Sequence, residues 1–390
     1  MSTLATNGRS ALEPRLRLAF IAPGNSIHTR RWLEYFVEQG HEVGLVSYGR
    51  FEERIDGIEL LLELGAFSRV DRGVRSYVDF AQSAGLVWRA LHRFRPDIVH
   101  AHFVTGPGWL GLFAGRVPLV VTAWGSDVLV DTARPYVRLL HRLTLHRAAC
   151  AMCDAEGVAE RLADLGASPV RIRRALWGVD EDVFSPGAPS QAARKEFGLP
   201  ADRMVVLSIR GLRDLQNPLT VVRGFAEFQR SGHDAVLALK LGPADSALSQ
   251  PVANELRRLR LGDDVQVIGH LPHERLADLY RIADVCLSVP SSDGTSVALL
   301  EAMATGRPVV VTDIPANREW IRNEENGVLV PVGDAGALAR ALAWLAEDPE
   351  RRSALGAAAR EEVGVAGAYR HQMQRAERLY RSVIWEQRRG

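Results

Sequence analysis

The chain has 390 residues, 47% of them hydrophobic and 24% charged, with a formal net charge of +1. This is the profile of an ordinary globular protein with room for two or three domains. So even a balance gives no electrostatic case for a nucleic-acid partner, and no apolar run approaches the roughly 18 residues needed to span a bilayer. Three cysteines in so long a chain argue against a disulfide framework and for a reducing, cytoplasmic setting.

Residues 1–14 are polar, lack the apolar run of a signal peptide and are expected to be disordered. LRLAFIA (16–22) reads as a strand, and Pro23, Gly24, Asn25 and Ser26 as a turn. A helix over 28–39 follows, with Trp32, Leu33, Phe36 and Val37 as its apolar stripe. Gly40 ends it, and HEVGLVS (41–47) is a second strand. Strand, glycine loop, helix and strand open a nucleotide-binding type of α/β domain. Residues 50–73 read as irregular and charged.

Residues 74–93 predict a long helix carrying Tyr77, Phe80, Leu86, Trp88 and Leu91 among arginines. Such a basic amphipathic helix either touches a membrane surface peripherally, at its inner face, or packs with one side solvated. The packed reading is preferred here. PDIVHAH (96–102) is a strand that ends in His102. Carboxyl ends of strands are where open α/β sheets bind ligands, so His102 is a site candidate. The strand over 119–123 leads into Trp124, Gly125, Ser126 and Asp127, and Asp127 suits a helix cap or an acceptor-side group. Cys150 and Cys153, spaced C-A-M-C, lie in an apolar strand with no second pair, which favours core packing over a metal or redox role.

LWGVDEDVFSPG (176–187) has no periodicity and reads as a linker. Its Asp180-Glu181-Asp182 looks like a D-x-D metal motif, but a linker is the wrong setting, and no metal is expected. Beyond it come a strand over 204–209 running into Arg210, Gly211, Leu212 and Arg213, then a helix over 218–230. Strands over 235–241, 265–269 and 283–289 follow, the second ending at Gly269, His270 and Leu271. The last third is helical, with segments over 334–347 and 366–385.

The stretch over 290–320 carries the most chemistry. Ser291, Ser292, Asp293, Gly294 and Thr295 are turn and cap types, and an apolar run of helix formers follows from Val297. Gly306 suits a helix C-terminus, with Pro308 beyond it, and 309–312 is a buried strand. A helix starting near Ser296 leaves its first N–H groups without intrahelical partners and carries partial positive charge. An anion, above all a diphosphate, is the natural guest of Gly294, Thr295, Ser296 and Val297. Asp293 at the mouth and Glu301 two turns on are better placed to accept hydrogen bonds from hydroxyls. One molecule with sugar hydroxyls, a diphosphate and a ribose meets all three demands.

This segment resembles the donor-binding signature of retaining glycosyltransferases of family 4, which have the GT-B fold of two Rossmann-like domains with parallel sheets facing across a cleft. Their pattern sets Glu-x7-Glu in a P-S-x-x-E-G frame that continues L-E-A-M-A-x-G-x-P-V-V. Here Asp293 replaces the first Glu. The resemblance runs over about 15–385 and implies domains at 15–185 (acceptor) and 186–365 (nucleotide sugar), with 366–390 as a helix crossing back. It implies that Asp293 faces the donor sugar, that Glu301 meets the ribose, and that Gly269 and Leu271 lie near the base. Arg210 matches the arginine of a G-R-x5-K diphosphate grip. Gln216 stands at the lysine position, so Arg213 is the candidate second cation. In the first domain Gly24, Asn25, Ser26, His28 and His102 become cleft candidates. Trp124 stands where the family usually has a donor-side His, so it can stack on a sugar but shuttle no proton, and Asp127 remains beside it.

The implied reaction moves a sugar from a nucleoside diphosphate, by default uridine, to an unidentified acceptor with retention and without a metal or other cofactor. Arg210, Arg213, Asp293, His102 and Asp127 are the candidate catalytic set. A nucleotide-sugar epimerase and a non-catalytic sugar-nucleotide-binding partner of another transferase are the alternatives.

Overall fold

The computed structural model describes residues 14–49, 51, 54–64, 74–130, 134–188, 190–242, 245 and 247–389. Thus all but one residue of the expected disordered N-terminus falls outside the described residues, as do parts of 50–73. The chain divides into two compact units. One comprises the residues up to Met152, Arg161–Arg173 and Glu377–Gly390; the other comprises Cys153–Glu160 and Arg174–Ala376.

The first unit is built on seven strands: β1 (Arg17–Ala22), β2 (Glu42–Tyr48), β3 (Ile58–Leu64), β4 (Ile98–His102), β5 (Leu119–Thr122), β6 (Cys150–Cys153) and β7 (Ile172–Arg174). Their order is β3-β2-β1-β4-β5-β6-β7, parallel from β3 to β6. The central strands are apolar because helices cover both faces of a parallel sheet, and β1, β4, β5 and β6 are almost wholly buried. Cys150 and Cys153 are both buried in β6, in line with the core-packing reading. Burial pushes the Cys150 thiol up to about 12.

The irregular reading of 50–73 is corrected by β3. IELLLEL pairs with β2 as the outer strand of the sheet. Its two glutamates hid it, because an edge strand with one wet face tolerates charge that an inner strand does not. The helix Val74–Phe94 follows, burying Ala84, Val87 and Leu91 while Leu86 and Trp88 stay exposed. Among the described residues no helix is long and apolar enough to cross a membrane.

The second unit carries β8 (Met204–Ser208), β9 (Ala235–Lys240), β10 (Val265–Ile268), β11 (Val285–Ser288), β12 (Val309–Thr312) and β13 (Val328–Val330). All are parallel, in the order β10-β9-β8-β11-β12-β13. Two apolar clusters fill its faces, one around Leu207, Leu299, Met303 and Val363, the other around Phe225, Phe228, Leu342 and Leu345. The helix Pro218–Arg230 has the bounds read from the sequence. Gly306 takes the left-handed φ of +71° that stops the helix Val297–Ala304. The helix Pro349–Gly367, unassigned from the sequence, precedes the last helix, Tyr369–Arg389.

In both sheets the chain order reverses once, between β1 and β4 and between β8 and β11. Such a switch point leaves a crevice outside the strand carboxyl ends. The sequence candidates cluster at these two places, each within its own unit.

Candidate active site

In the second unit, Arg210 leaves β8 and the 290–296 loop leaves β11. Ser296 caps the helix Val297–Ala304, its Oγ accepting from the Leu299 N–H at 3.3 Å. The first intrahelical bonds run from Leu299 and Leu300 to the Ser296 carbonyl, so the N–H groups of Val297 and Ala298 precede the ladder. Arg210 reaches this start directly. One guanidinium nitrogen donates to Ser296 Oγ, another lies 2.7 Å from Asp293 Oδ2, and Nε donates to Gln216 Oε1 at 2.9 Å. Arg210 and Asp293, expected to face different parts of a donor, are therefore paired with each other. Gln216, standing where the resemblance expects a lysine, is buried and orients the arginine. Arg213 is exposed.

Three of the loop's candidates make contacts within the chain that the sequence did not suggest. Gly294 is buried, and a Cβ there would lie 2.5 Å from Asp154 Oδ1, so the glycine makes room for a carboxylate of its own chain. Thr295 is buried too; its hydroxyl donates to the Asp154 carbonyl at 2.7 Å and accepts from Trp320 Nε1 at 3.3 Å. Glu301 is 6% exposed and accepts from the Tyr280 hydroxyl at 3.0 Å, with His273 Nδ1 at 4.0 Å from its other oxygen. Its hydrogen-bond donor is a phenol whose own ionisation burial and Glu301 push well up, so the proton stays on Tyr280. Leu271 is partly buried against the core while Gly269 stays exposed.

Sequence reasoning missed four residues here. Asp154 follows β6, and the strand-end rule applied to that strand would have found it. Tyr280 lies in the last turn of the helix His273–Ile282 with no local signal. Asp245 Oδ2 accepts from the N–H groups of Leu212, at 2.9 Å, and Gly242, at 2.8 Å, so it ties the loops after β8 and β9. Lys240 ends β9 with its ammonium near Glu301, Arg210 and Asp245; burial holds its pKa below the usual value against the pull of Glu301.

In the first unit, His102 is completely buried rather than lining a site. It lies 3.5 Å from Thr29 Oγ1 and edge-on to Trp32 and Phe20. Burial, with the neighbouring His28, pushes it down to about 3, so it is neutral at physiological pH. Its strand neighbour His100 accepts from Tyr380 and lies 2.6 Å from Thr122 Oγ1, while Trp32 Nε1 donates to the Tyr380 hydroxyl at 2.9 Å. With Nδ1 accepting, Nε2 carries the His100 proton and donates to Thr122.

Asp127, read as either a helix cap or an acceptor-side group, is buried and braces backbone N–H groups. Its oxygens accept from the Val104 N–H at 2.7 Å and the Trp124 N–H at 2.9 Å, tying the loop after β4 to the loop after β5. Burial pushes its carboxyl up to about 6 although those N–H bonds pull the other way. Gly24 is buried, and a Cβ there would meet Ser47 Oγ at 2.4 Å and Phe51 at 2.9 Å, so it serves packing. Asn25 is exposed, Ser26 is the N-cap residue of the helix Ile27–Glu38, and His28 lies edge-on to Trp124 with ring centroids 5.3 Å apart. Among the described residues no group of three His, Cys, Asp or Glu is placed to hold a metal ion.

Two Rossmann-like units, one with an arginine at a serine-capped helix start beyond a switch point, define a doubly wound class of α/β protein. Comparison with known proteins gives the family. A model described as "Glycosyl transferases group 1" matches residues 189–362, and one described as "Glycosyl transferase 4-like domain" matches 24–176. The chain belongs to this group 1, or family 4, glycosyltransferase family.

D-inositol 3-phosphate glycosyltransferase 2 of Catenulispora acidiphila is 31% identical over 277 residues, covering 67% of this chain; the match spans 65% of that relative's own length. Sucrose-phosphate synthase of Thermosynechococcus elongatus superposes with a TM-score of 0.81 at 21% identity, over 95% of this chain and 100% of the other. Anabaena HepE in complex with UDP-glucose gives 0.77 at 15% identity, over 94% and 99%. At such identities these structures show the fold alone, and that fold is GT-B.

Proposed function

We propose that the protein is a retaining glycosyltransferase that moves a hexosyl group from a nucleoside-diphosphate sugar, with UDP as the nucleotide, to an acceptor nucleophile without a metal ion. The observation that carries this reading is the Arg210 guanidinium set against the Ser296 cap and Asp293. It is supported by family membership and by the UDP-glucose bound in the HepE complex.

The chemical demand is to stabilise the leaving diphosphate as negative charge builds on it. Preorganised cations and N–H donors meet that demand. Arg210 is already oriented by Gln216, and its fork suits phosphate oxygens. The helix start contributes roughly 0.3–1 kcal/mol, less than the roughly 1.5–3 kcal/mol of a charge-assisted bond, so the arginine does more than the dipole.

In this mechanism the incoming diphosphate takes over the guanidinium from Asp293. The released carboxylate, now beside the sugar, accepts hydrogen bonds from its hydroxyls. Tyr280 fixes Glu301, and Lys240 adds positive charge behind Arg210. With His102 buried and neutral and Trp124 unable to carry a proton, the acceptor's proton passes to the departing diphosphate oxygen on the same face of the sugar. That route preserves the anomeric configuration and uses no enzyme nucleophile.

A thermal-shift screen of nucleotides and nucleotide sugars tests the binding half, because a ligand held only by the folded state raises its stability. UDP and one UDP-sugar raise the midpoint, and proton NMR of the product made from that donor shows the donor's own anomeric configuration. No shift with any nucleotide, or an inverted product, contradicts the reading.

A further inference from the structure

At the carboxyl ends of β4 and β5, Phe103 and Trp124 stack face to face, with centroids 4.6 Å apart and planes 20° from parallel. Both are half-buried. Phe103 takes φ +89°, a left-handed backbone that a bulky side chain adopts only when the surroundings force it. The backbone on both sides is pinned: the Phe103 N–H donates to the Thr122 carbonyl at 2.9 Å, and the Asp127 carboxylate accepts from the N–H of the next residue, Val104, and from that of Trp124.

Around them stand His28, edge-on to Trp124, and Tyr48 at the end of β2, whose ionisation burial and the Asp127 charge push up to about 12. A Cβ on Gly106 would lie 3.4 Å from the Tyr48 hydroxyl, so that hydroxyl reaches the same loop. The loops over 23–26, 103–106 and 123–126 contain no lysine or arginine. Arg30 on the following helix is engaged by Glu34 at 2.8 Å. The carboxylate of Asp127 lies directly behind the two rings.

We propose that Phe103 and Trp124 form the wall against which the acceptor's ring lies, and that the acceptor is an uncharged cyclic polyol or glycoside rather than a phosphorylated one. This deepens the transferase reading and rests on it. Aromatic faces take the C–H side of a sugar ring, while the Tyr48 hydroxyl and His28 suit its rim of hydroxyls. A phosphate placed there would meet ring faces and a carboxylate, with no guanidinium from those loops to offset its desolvation.

The test uses the full chain with phenyl β-D-glucopyranoside and myo-inositol 1-phosphate as probes, read by saturation-transfer NMR and by tryptophan fluorescence. Phe103→Gly removes one ring while suiting the left-handed backbone; Trp124→Leu removes the other. Thermal midpoints confirm that each variant folds. The neutral glucoside binds the native chain, and each variant weakens it by about tenfold or more, while the phosphorylated probe binds all three equally weakly. Tighter binding of inositol phosphate than of the glucoside to the native chain, or glucoside binding unchanged in both variants, overturns the proposal. UDP thermal shifts run in parallel keep the two readings apart. A missing UDP shift counts against the transferase reading and leaves the glucoside result to judge the wall.

Discussion

Asp127 offers a test with a definite sign. Its carboxyl is pushed from an ordinary 3.8 up to about 6 by burial, although two backbone N–H groups donate to it. A carboxyl raised in the folded state favours the protonated form there, so its contribution to stability is full below pH 4 and is lost as pH rises through 6. The loss corresponds to about 3 kcal/mol. Asp127→Asn keeps the shape and cannot ionise. At pH 4 the variant is the less stable, because its amide presents one oxygen to two N–H groups and leaves one of them unsatisfied. Between pH 4 and pH 7.5 the native chain loses about 3 kcal/mol relative to the variant, so the difference between them moves by that amount in the variant's favour. Urea unfolding from pH 4 to 8, followed by near-ultraviolet circular dichroism of the tryptophans, reads the difference. Parallel stability curves for the two proteins, or a native chain that gains on the variant as pH rises, would refute the reasoning.

Three further outcomes are expected. Gly294→Ala forces its methyl onto Asp154 Oδ1, 2.5 Å away, and lowers stability by about 1–3 kcal/mol; in an Asp154→Ala background the same change is nearly neutral, and equal effects in both backgrounds would show that the contact is not the cause. Tyr280→Phe takes a donor from the buried Glu301 carboxylate, 3.0 Å from the phenol oxygen, and lowers stability by about 1–3 kcal/mol; an unchanged urea midpoint would mean that Glu301 draws its support elsewhere. Chelator added to a turnover assay leaves the rate intact; clear inhibition would reopen a metal role.

Much of this was legible in the sequence, for reasons that particular residues make plain. The buried strands announced themselves as runs such as VVVT at 309–312, because inner parallel strands are apolar on both faces. Helix ends were marked by Ser296, Gly306 and Asp334, whose caps the structure contains. β3 escaped because Glu59 and Glu63 break its apolar run. Site residues were harder, since their roles depend on partners distant in the chain. Gly294 looked like bare backbone kept open for a ligand, yet its constraint is a carboxylate 140 positions earlier. His102 ends β4 and Asp127 follows β5 on the short helix Ser126–Leu129, near where ligands bind, but both are buried, and only packing shows which way such a residue faces. Phe103 gave no signal at all, because nothing in the letters F-V-T-G reveals a positive φ at the phenylalanine.

The claim most open to direct trial is that Arg210 holds the donor's pyrophosphate at the Ser296 helix start. Calorimetric titration of UDP into the native chain and into Arg210→Ala, paired with turnover of the donor found by the thermal screen, addresses it. The native chain binds UDP, and the variant binds at least tenfold more weakly and turns over about a hundredfold or more slowly. Equal UDP affinity and near-native turnover in Arg210→Ala would contradict the account.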